Sequence, residues 1–230
     1  MYYTRMCLFS LKLFSICVYC LSCQYKTGNK RSHWSQYILD NTPGGTTYIR
    51  WGRTSCSNTT AAELVYEGYA AGSHYTHSGG GANYVCLPRD PLFEPDVTSG
   101  STSLIYGAEY ETNSGAWKIY HNQDVPCAVC RTPRTNVLML PGRNQCYNDW
   151  QLEYTGFLMS DYYGYSSKEY TCVDAYPETL NSGSTNANGA LFYFVEARCG
   201  ALKCPPYIEG REITCAVCSY RGRASSTPGK

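Results

Sequence analysis

Two stretches of this chain repeat one another, and both keep their cysteines. The first runs Gly52-Arg53-Thr54-Ser55-Cys56, then Glu63-Leu64-Val65-Tyr66-Glu67-Gly68-Tyr69, Tyr84-Val85-Cys86 and Cys127-Ala128-Val129-Cys130. The second runs Gly142-Arg143-Asn144-Gln145-Cys146, then Gln151-Leu152-Glu153-Tyr154-Thr155-Gly156-Phe157, Tyr170-Thr171-Cys172 and Cys215-Ala216-Val217-Cys218. Corresponding cysteines lie between 86 (Cys86 to Cys172) and 90 (Cys56 to Cys146) residues apart, so only short loop insertions separate the copies. A duplication that preserves thiols and an apolar strand, but no acid–base set, points to a structural framework rather than an enzyme.

The compartment follows from the first residues. Arg5 and Lys12 flank the apolar stretch Leu13-Phe14-Ser15-Ile16-Cys17-Val18-Tyr19-Cys20-Leu21, which polar Gln24 and Lys26 follow. That stretch is shorter than the ~20 residues a bilayer span needs. It suits a secretory signal over residues 1–23, cleaved just before or just after Cys23. A buried N-terminal helix is the structural alternative. Residues 24–45 read as a polar lead-in, 46–131 and 136–220 as the copies, and 221–230 as a basic disordered tail. No later apolar run is long enough for a membrane anchor.

Without the signal, Cys56, Cys86, Cys127, Cys130, Cys146, Cys172, Cys199, Cys204, Cys215 and Cys218 remain. In an oxidising compartment that even set reads as cystines. Cleavage before Cys23 leaves an odd thiol for intermolecular bonding. The formal net charge of +1 argues against a nucleic-acid partner, because phosphate binding needs a concentrated basic surface.

The periodicity favours strands. Leu64, Tyr66 and Gly68 fall on one face of a strand, and Leu152, Tyr154 and Gly156 repeat them. Val137-Leu138-Met139-Leu140 and Leu191-Phe192-Tyr193-Phe194-Val195 are short and apolar throughout, as expected of strands buried on both faces. No segment sustains helical spacing. The predicted fold is all-β, a tandem duplication of a disulfide-stapled unit with long Gly-, Ser- and Asn-rich loops. The four-residue link Thr132-Pro133-Arg134-Thr135 implies that the copies pack closely as one cooperative domain with approximate two-fold internal symmetry.

Several residues invite chemical readings. The Cys-Ala-Val-Cys pairs have the internal spacing of a zinc site, but secretion sets them in an oxidising environment. A redox pair belongs at a helix N-terminus, whereas Pro126 and strand-like Glu212-Ile213-Thr214 precede these motifs. The reading favoured is that each cysteine pairs with a distant partner in its own copy. His74 and His77 could ligate a metal from a flexible loop, yet Ser160-Asp161-Tyr162-Tyr163-Gly164 replaces them in copy two, which favours a solvated loop. Asp161, Asp174, Glu178 and Glu196 do not cluster in sequence. Asn58-Thr59-Thr60 is an N-glycosylation sequon in a predicted loop, placing a glycan on Asn58. The tyrosines read mainly as half-buried sheet residues, with sugar contact or oxidative cross-linking as the exposed alternative.

The order of these motifs resembles a known family. Arg50-Trp51-Gly52-Arg53, the Leu-x-Tyr-x-Gly strands, Gly72-Ser73-His74-Tyr75-Thr76-His77, Val195-Glu196-Ala197-Arg198-Cys199-Gly200 and both Cys-Ala-Val-Cys motifs are similar to the C-terminal non-collagenous domain of sponge short-chain (spongin-type) collagens, and more distantly of type IV collagen. The likeness spans about Tyr48 to Ser219. The sequence departs from it in having no Gly-X-Y tract and four cysteines in copy one where type IV collagen has six. Carried over, the family's nested pattern implies Cys56–Cys130 and Cys86–Cys127 in copy one. In copy two it implies Cys146–Cys218 and Cys172–Cys215, with Cys199–Cys204 as a local pair.

The resemblance implies a secreted, non-enzymatic extracellular-matrix protein with no catalytic residue, metal or cofactor. Its partners would be matrix proteins or further copies of itself, in settings that extend to the organic matrix of a mineralised skeleton. The main alternative is a secreted carbohydrate-binding module, supported by the Tyr- and Trp-rich loops. A secreted oxidoreductase using Cys-Ala-Val-Cys is the third class.

Overall fold

A computed structural model describes residues 44–94, 100–181 and 185–220. The expected signal, the lead-in up to residue 43 and the tail from 221 lie outside the described residues. The rest is nearly all β, as the periodicity predicts, with one 3₁₀ turn at Gly115–Tyr120.

The first stretch supplies β1 (Thr46–Trp51), β2 (Glu63–Gly72), β3 (Val85–Pro88), β4 (Tyr106–Tyr110) and β5 (Pro126–Thr132). The second supplies β6 (Val137–Pro141), β7 (Trp150–Ser160), β8 (Thr171–Asp174), β9 (Ala190–Phe194) and β10 (Thr214–Tyr220). The same pairings recur in each stretch. Strand β5 lies antiparallel between β1 and β2, as β10 does between β6 and β7. Strand β2 also pairs β3 and β4, as β7 pairs β8 and β9. Two further pairings join the stretches, β4 with β9 in parallel and Trp51 of β1 with Val173 of β8.

The Cys-Ala-Val-Cys motifs occupy the central strands β5 and β10. Side chains alternate between faces along a strand, so cysteines three apart point to opposite faces. Cys127 accordingly packs with Trp51, Tyr110 and Phe192 in one apolar cluster, and Cys130 with Tyr48, Ala128, Tyr154 and Val217 in another. Both clusters draw on both stretches.

The strict alternation expected of Leu64, Tyr66 and Gly68 breaks at one residue. Leu64 stands opposite Cys130 and Tyr66 opposite the adjacent Val129, so Val65 is the extra residue of a β-bulge. Strand β7 repeats this, with Leu152 opposite Cys218, Tyr154 opposite Val217 and Glu153 as the extra residue. The bulge therefore puts Leu64 and Tyr66 on opposite faces. Strand β6 also differs from expectation, since it closes one end of the sheet and leaves Leu138 41% exposed. In β9, by contrast, Leu191 and Phe192 are buried.

The glycine of each Leu-x-Tyr-x-Gly run has a steric cause. A Cβ on Gly68 would lie 1.8 Å from the Leu87 carbonyl oxygen, and one on Gly156 would lie 1.7 Å from that of Val173. Both obstacles are backbone, so the neighbouring strand itself would have to move. Gly156→Ala is expected to destabilise the fold by at least the ~1–3 kcal/mol typical of overpacking. Gly107→Ala, in β4, meets nothing within 4 Å and serves as the control. Thermal denaturation of both variants checks this, and equal melting temperatures would contradict it.

Candidate functional site

The ten cysteines of the described residues form five disulfides: Cys56–Cys130, Cys86–Cys127, Cys146–Cys218, Cys172–Cys215 and Cys199–Cys204. Cys127 and Cys130 thus bond different partners, as do Cys215 and Cys218, and neither motif is a dithiol. The four long pairs each close 41 to 74 residues. In the chain-entropy account each such closure restricts the unfolded chain by roughly 4 kcal/mol. Bonds of this kind form and persist in oxidising compartments. Among the described residues, no three side chains of metal-ligating type converge, and no helix is long and apolar enough to cross a membrane.

Polar side chains concentrate where β1 and the turn after it meet β7, β8 and the segment following β8. Arg50 places both Nε and Nη2 2.7 Å from Asp174 Oδ2, and its Nη1 donates to the Ser55 carbonyl at 3.0 Å. The Asp174 side chain is only 3% exposed, and its Oδ1 accepts from the Tyr176 amide at 2.9 Å. Removing one member of a buried pair typically costs ~3–5 kcal/mol, because the other is stranded. The Tyr154 hydroxyl lies 2.9 Å from the carbonyl oxygens of both Ile49 and Cys172 and donates to one at a time.

The bulge residue Glu153 is the second anchor. Its Oε2 accepts hydrogen bonds from the hydroxyls of Tyr48 at 3.0 Å and Thr60 at 2.5 Å, and its Oε1 from that of Ser219 at 2.5 Å. Glu153 is 3% exposed. Three hydroxyl donors therefore replace the water that the carboxylate gives up. Burial, and then the neighbouring Glu153, push the Tyr48 phenol well above its ordinary pKa. The corresponding bulge of β2 carries Val65, 55% exposed.

A third contact clips the turn after β1 to the segment after β8. Glu178 Oε2 accepts from the Thr54 amide at 2.8 Å and from its hydroxyl at 2.7 Å, and Arg53 Nε lies 3.1 Å from Oε1. Asp174 and Glu178, scattered in sequence, thus serve one junction. Its other members, Arg50, Tyr48, Thr60 and Glu153, were not expected. The available signal was the charge of Glu153 inside a repeated apolar strand where copy one has valine.

The remaining candidates lie elsewhere. His74 and His77 form a turn whose rings are 4.9 Å apart, and His74 Nδ1 lies 2.9 Å from Thr76 Oγ1. Burial, together with His77 and Lys168, lowers the His74 pKa. Asn58 is exposed, whereas Thr60 of its sequon is buried against Glu153. Asp161 lies in an ion pair with Lys168 whose side chains are 1% and 0% exposed. Burial raises the Asp161 pKa and Lys168 partly offsets it. This pair lies in the wall of a groove of about 1090 Å³, which Tyr162, Tyr163, Tyr165 and Tyr193 also line. Glu196 and Arg198 border the same groove and are bonded to each other at 3.0 Å. Comparison with protein-family models and with curated proteins gives no match.

Burial by itself raises the Glu178 carboxyl, but the two bonds from Thr54 and the Arg53 guanidinium outweigh it and hold the pKa below the usual glutamate range. A depressed carboxyl stabilises the fold above its unfolded pKa of about 4.3, and that stability is lost as pH falls through the folded value. Glu178→Gln is therefore expected to lower the melting temperature at neutral pH, with the gap to wild type closing in acid. The side chain is a third exposed, so the effect should stay within ~1 kcal/mol. A gap that persists or widens in acid would contradict this assignment.

For the sequon, secretion from a eukaryotic cell should place a glycan on Asn58. The mass should fall on peptide-N-glycosidase treatment, and Asn58→Gln should abolish the shift. Thr60→Ala would also remove a Glu153 contact, so it is the wrong control. No change in mass after treatment would refute the modification.

Proposed function

We propose that this chain is a secreted structural protein of the extracellular matrix that acts by associating head to tail with further copies of itself. The observation that carries this reading is a mismatch between the internal junction and its counterparts at the two ends of the chain's strand system.

The strand registers define those counterparts. Tyr48 and Leu138 stand opposite Cys130 and Cys218, and Arg50 and Leu140 opposite Ala128 and Ala216. Val173 and Leu87 stand opposite Phe157 and Tyr69, and Asp174 and Pro88 opposite Gly156 and Gly68. The internal contacts Tyr48–Glu153 and Arg50–Asp174 and the pairing of Trp51 with Val173 therefore correspond to Leu138 with Val65, Leu140 with Pro88 and Pro141 with Leu87. Among the described residues, no strand pairing joins any of these last three pairs.

Among the described residues, β6 pairs only with β10 and β3 only with β2. Neither has a second strand partner, and both edges expose apolar residues, with Val65 55%, Leu138 41% and Leu87 37% exposed, beside the Glu67–Arg89 ion pair. In the loop after β3, Leu92 is 98% and Phe93 88% exposed. Open apolar edges are templates for pairing with another chain, and exposed apolar patches mark interaction sites. Docking β6 of one molecule against β2 and β3 of the next would repeat the internal junction with apolar residues. Such a heterologous contact gives a closed ring or an open filament, according to its rotation. The disulfide framework and the resemblance to non-collagenous collagen domains support the same reading.

Size-exclusion chromatography with light scattering on the secreted protein should show a concentration-dependent oligomer. Leu138→Asp combined with Val65→Asp puts like charges on both edges and should leave a folded monomer. A wild type that stays monomeric at every concentration would overturn the proposal. The carbohydrate-binding alternative has one observation in its favour, the tyrosine-lined groove. A glycan array without saccharide-specific signal removes that alternative.

A further inference from the structure

The groove also holds an arrangement that neither the junction nor the open edges explain. Tyr162 and Tyr163 have ring centroids 4.2 Å apart, Tyr162 lies 5.2 Å from Tyr165 and 5.5 Å from Tyr193, and Tyr75 lies 4.6 Å from Tyr165. Five phenols thus form one chain of ring contacts. Tyrosines gathered in a core are ordinarily buried with their hydroxyls bonded to backbone, as in Tyr84 donating to Leu191 and Tyr154 between Ile49 and Cys172. Here Tyr163 is 90% exposed, and Tyr162 and Tyr165 are each 39% exposed. The phenols also partner one another. The hydrogen bond with Tyr163 is the leading cause that raises the Tyr162 pKa.

The loop that carries the cluster is pinned at several points. Asp161 is bonded to Lys168 beneath it, and the Tyr165 amide donates to the Tyr162 carbonyl at 2.9 Å. The Ser166 amide donates to the Tyr75 carbonyl at 3.0 Å, and the Ser166 hydroxyl donates to that of His77. The rings are therefore held in contact at the surface rather than brought together by chance encounter. All ten cysteines of the described residues are in disulfides, so none of them offers a thiol to quench an oxidised phenol.

From this geometry we infer that the Tyr75–Tyr162–Tyr163–Tyr165–Tyr193 cluster is a site of oxidative tyrosine coupling, with Tyr163 as the residue that forms the cross-link. The oxidant is a peroxide acting through a haem peroxidase. Two phenols each lose one electron and the hydroxyl proton, giving two phenoxyl radicals. The radicals join through a carbon–carbon bond between ring positions ortho to oxygen. Each joined carbon then loses its hydrogen as a proton, and each oxygen regains one, which restores two aromatic phenols. The two electrons and two protons removed overall reduce one hydrogen peroxide to two waters. Close ring contacts let a radical formed on any member move to its neighbours, so oxidation collects on the cluster and leaves it at the exposed ring. Coupling within the loop joins Tyr163 to Tyr162, and coupling between molecules joins Tyr163 to a tyrosine of another copy.

Tyr176 supplies the internal control. It is 77% exposed but has no ring partner among the described residues. The purified secreted protein is treated with horseradish peroxidase and hydrogen peroxide, then assayed for dityrosine fluorescence, covalent dimer and cross-linked peptides. The expected result is dityrosine concentrated in peptides that contain Tyr163, lost for the most part in Tyr163→Phe and retained in Tyr176→Phe. Both substitutions are at exposed rings, and circular dichroism verifies that each variant is folded. Coupling spread over tyrosines by exposure, with Tyr176 as reactive as Tyr163, would overturn the inference. An undiminished yield in Tyr163→Phe would do the same. Dityrosine through Tyr163 in a protein that is otherwise monomeric supports the cluster while refuting head-to-tail association, so the two failures are distinguishable.

Discussion

The two-residue alternation of the central strands β5 and β10 organises the rest of the structure. A Cys-x-x-Cys motif in a strand sends its sulfurs to opposite faces. One strand can therefore be stapled on both sides, to β3 and to the turn after β1 in the first stretch, and likewise in the second. The small alanine between the cysteines leaves room for Tyr48, Tyr154 and Val217 in the same cluster. The same motif at a helix N-terminus would point both thiols one way and support redox or metal chemistry. Strand context, more than motif, decides what these cysteines do.

A second constraint acts through the bulges at Val65 and Glu153. A bulge re-aims the inserted side chain and raises the local twist. In β7 the inserted residue is a carboxylate, which reaches Tyr48 of β1, Thr60 and Ser219 of β10. In β2 it is a valine that remains exposed. The same backbone device thus serves a saturated polar contact in one place and an open apolar one in the other.

Much of this was legible in the sequence, for identifiable reasons. The β class, the central role of the repeated motifs and the burial of Leu191 and Phe192 follow from period and residue type. The position of β6 does not. Val137 to Leu140 reads as a fully buried strand, yet it lies at an edge with Leu138 41% exposed, because an apolar composition does not record whether a strand has neighbours on one side or on two. The shared face of Leu64 and Tyr66 fails because a bulge leaves no mark in a pattern of alternating residues. The junction is the least legible part. Arg50, Glu153, Asp174 and Glu178 are separated by 4 to 128 positions and meet only through pairing between the copies, a relation no local pattern carries.

The polarity of the internal junction has a consequence for how the copies choose each other. Apolar surfaces alone would let copy one dock on its own equivalent as readily as on copy two, since the hydrophobic effect is non-directional. An Arg50 facing Asp174, and a buried Glu153 that requires the Tyr48 and Thr60 hydroxyls, accept one partner. Any other arrangement strands a charge away from water. The apolar counterparts impose no such condition, and they suit a contact made only after the internal one is closed. Within a single chain, where the copies meet at high effective concentration, discrimination matters more than added affinity. In the proposed association between chains, the area of apolar surface removed from water becomes the larger consideration. The polar internal junction and the exposed apolar residues of the outer edges, which the Glu67–Arg89 pair accompanies, are what those two requirements predict together under that proposal.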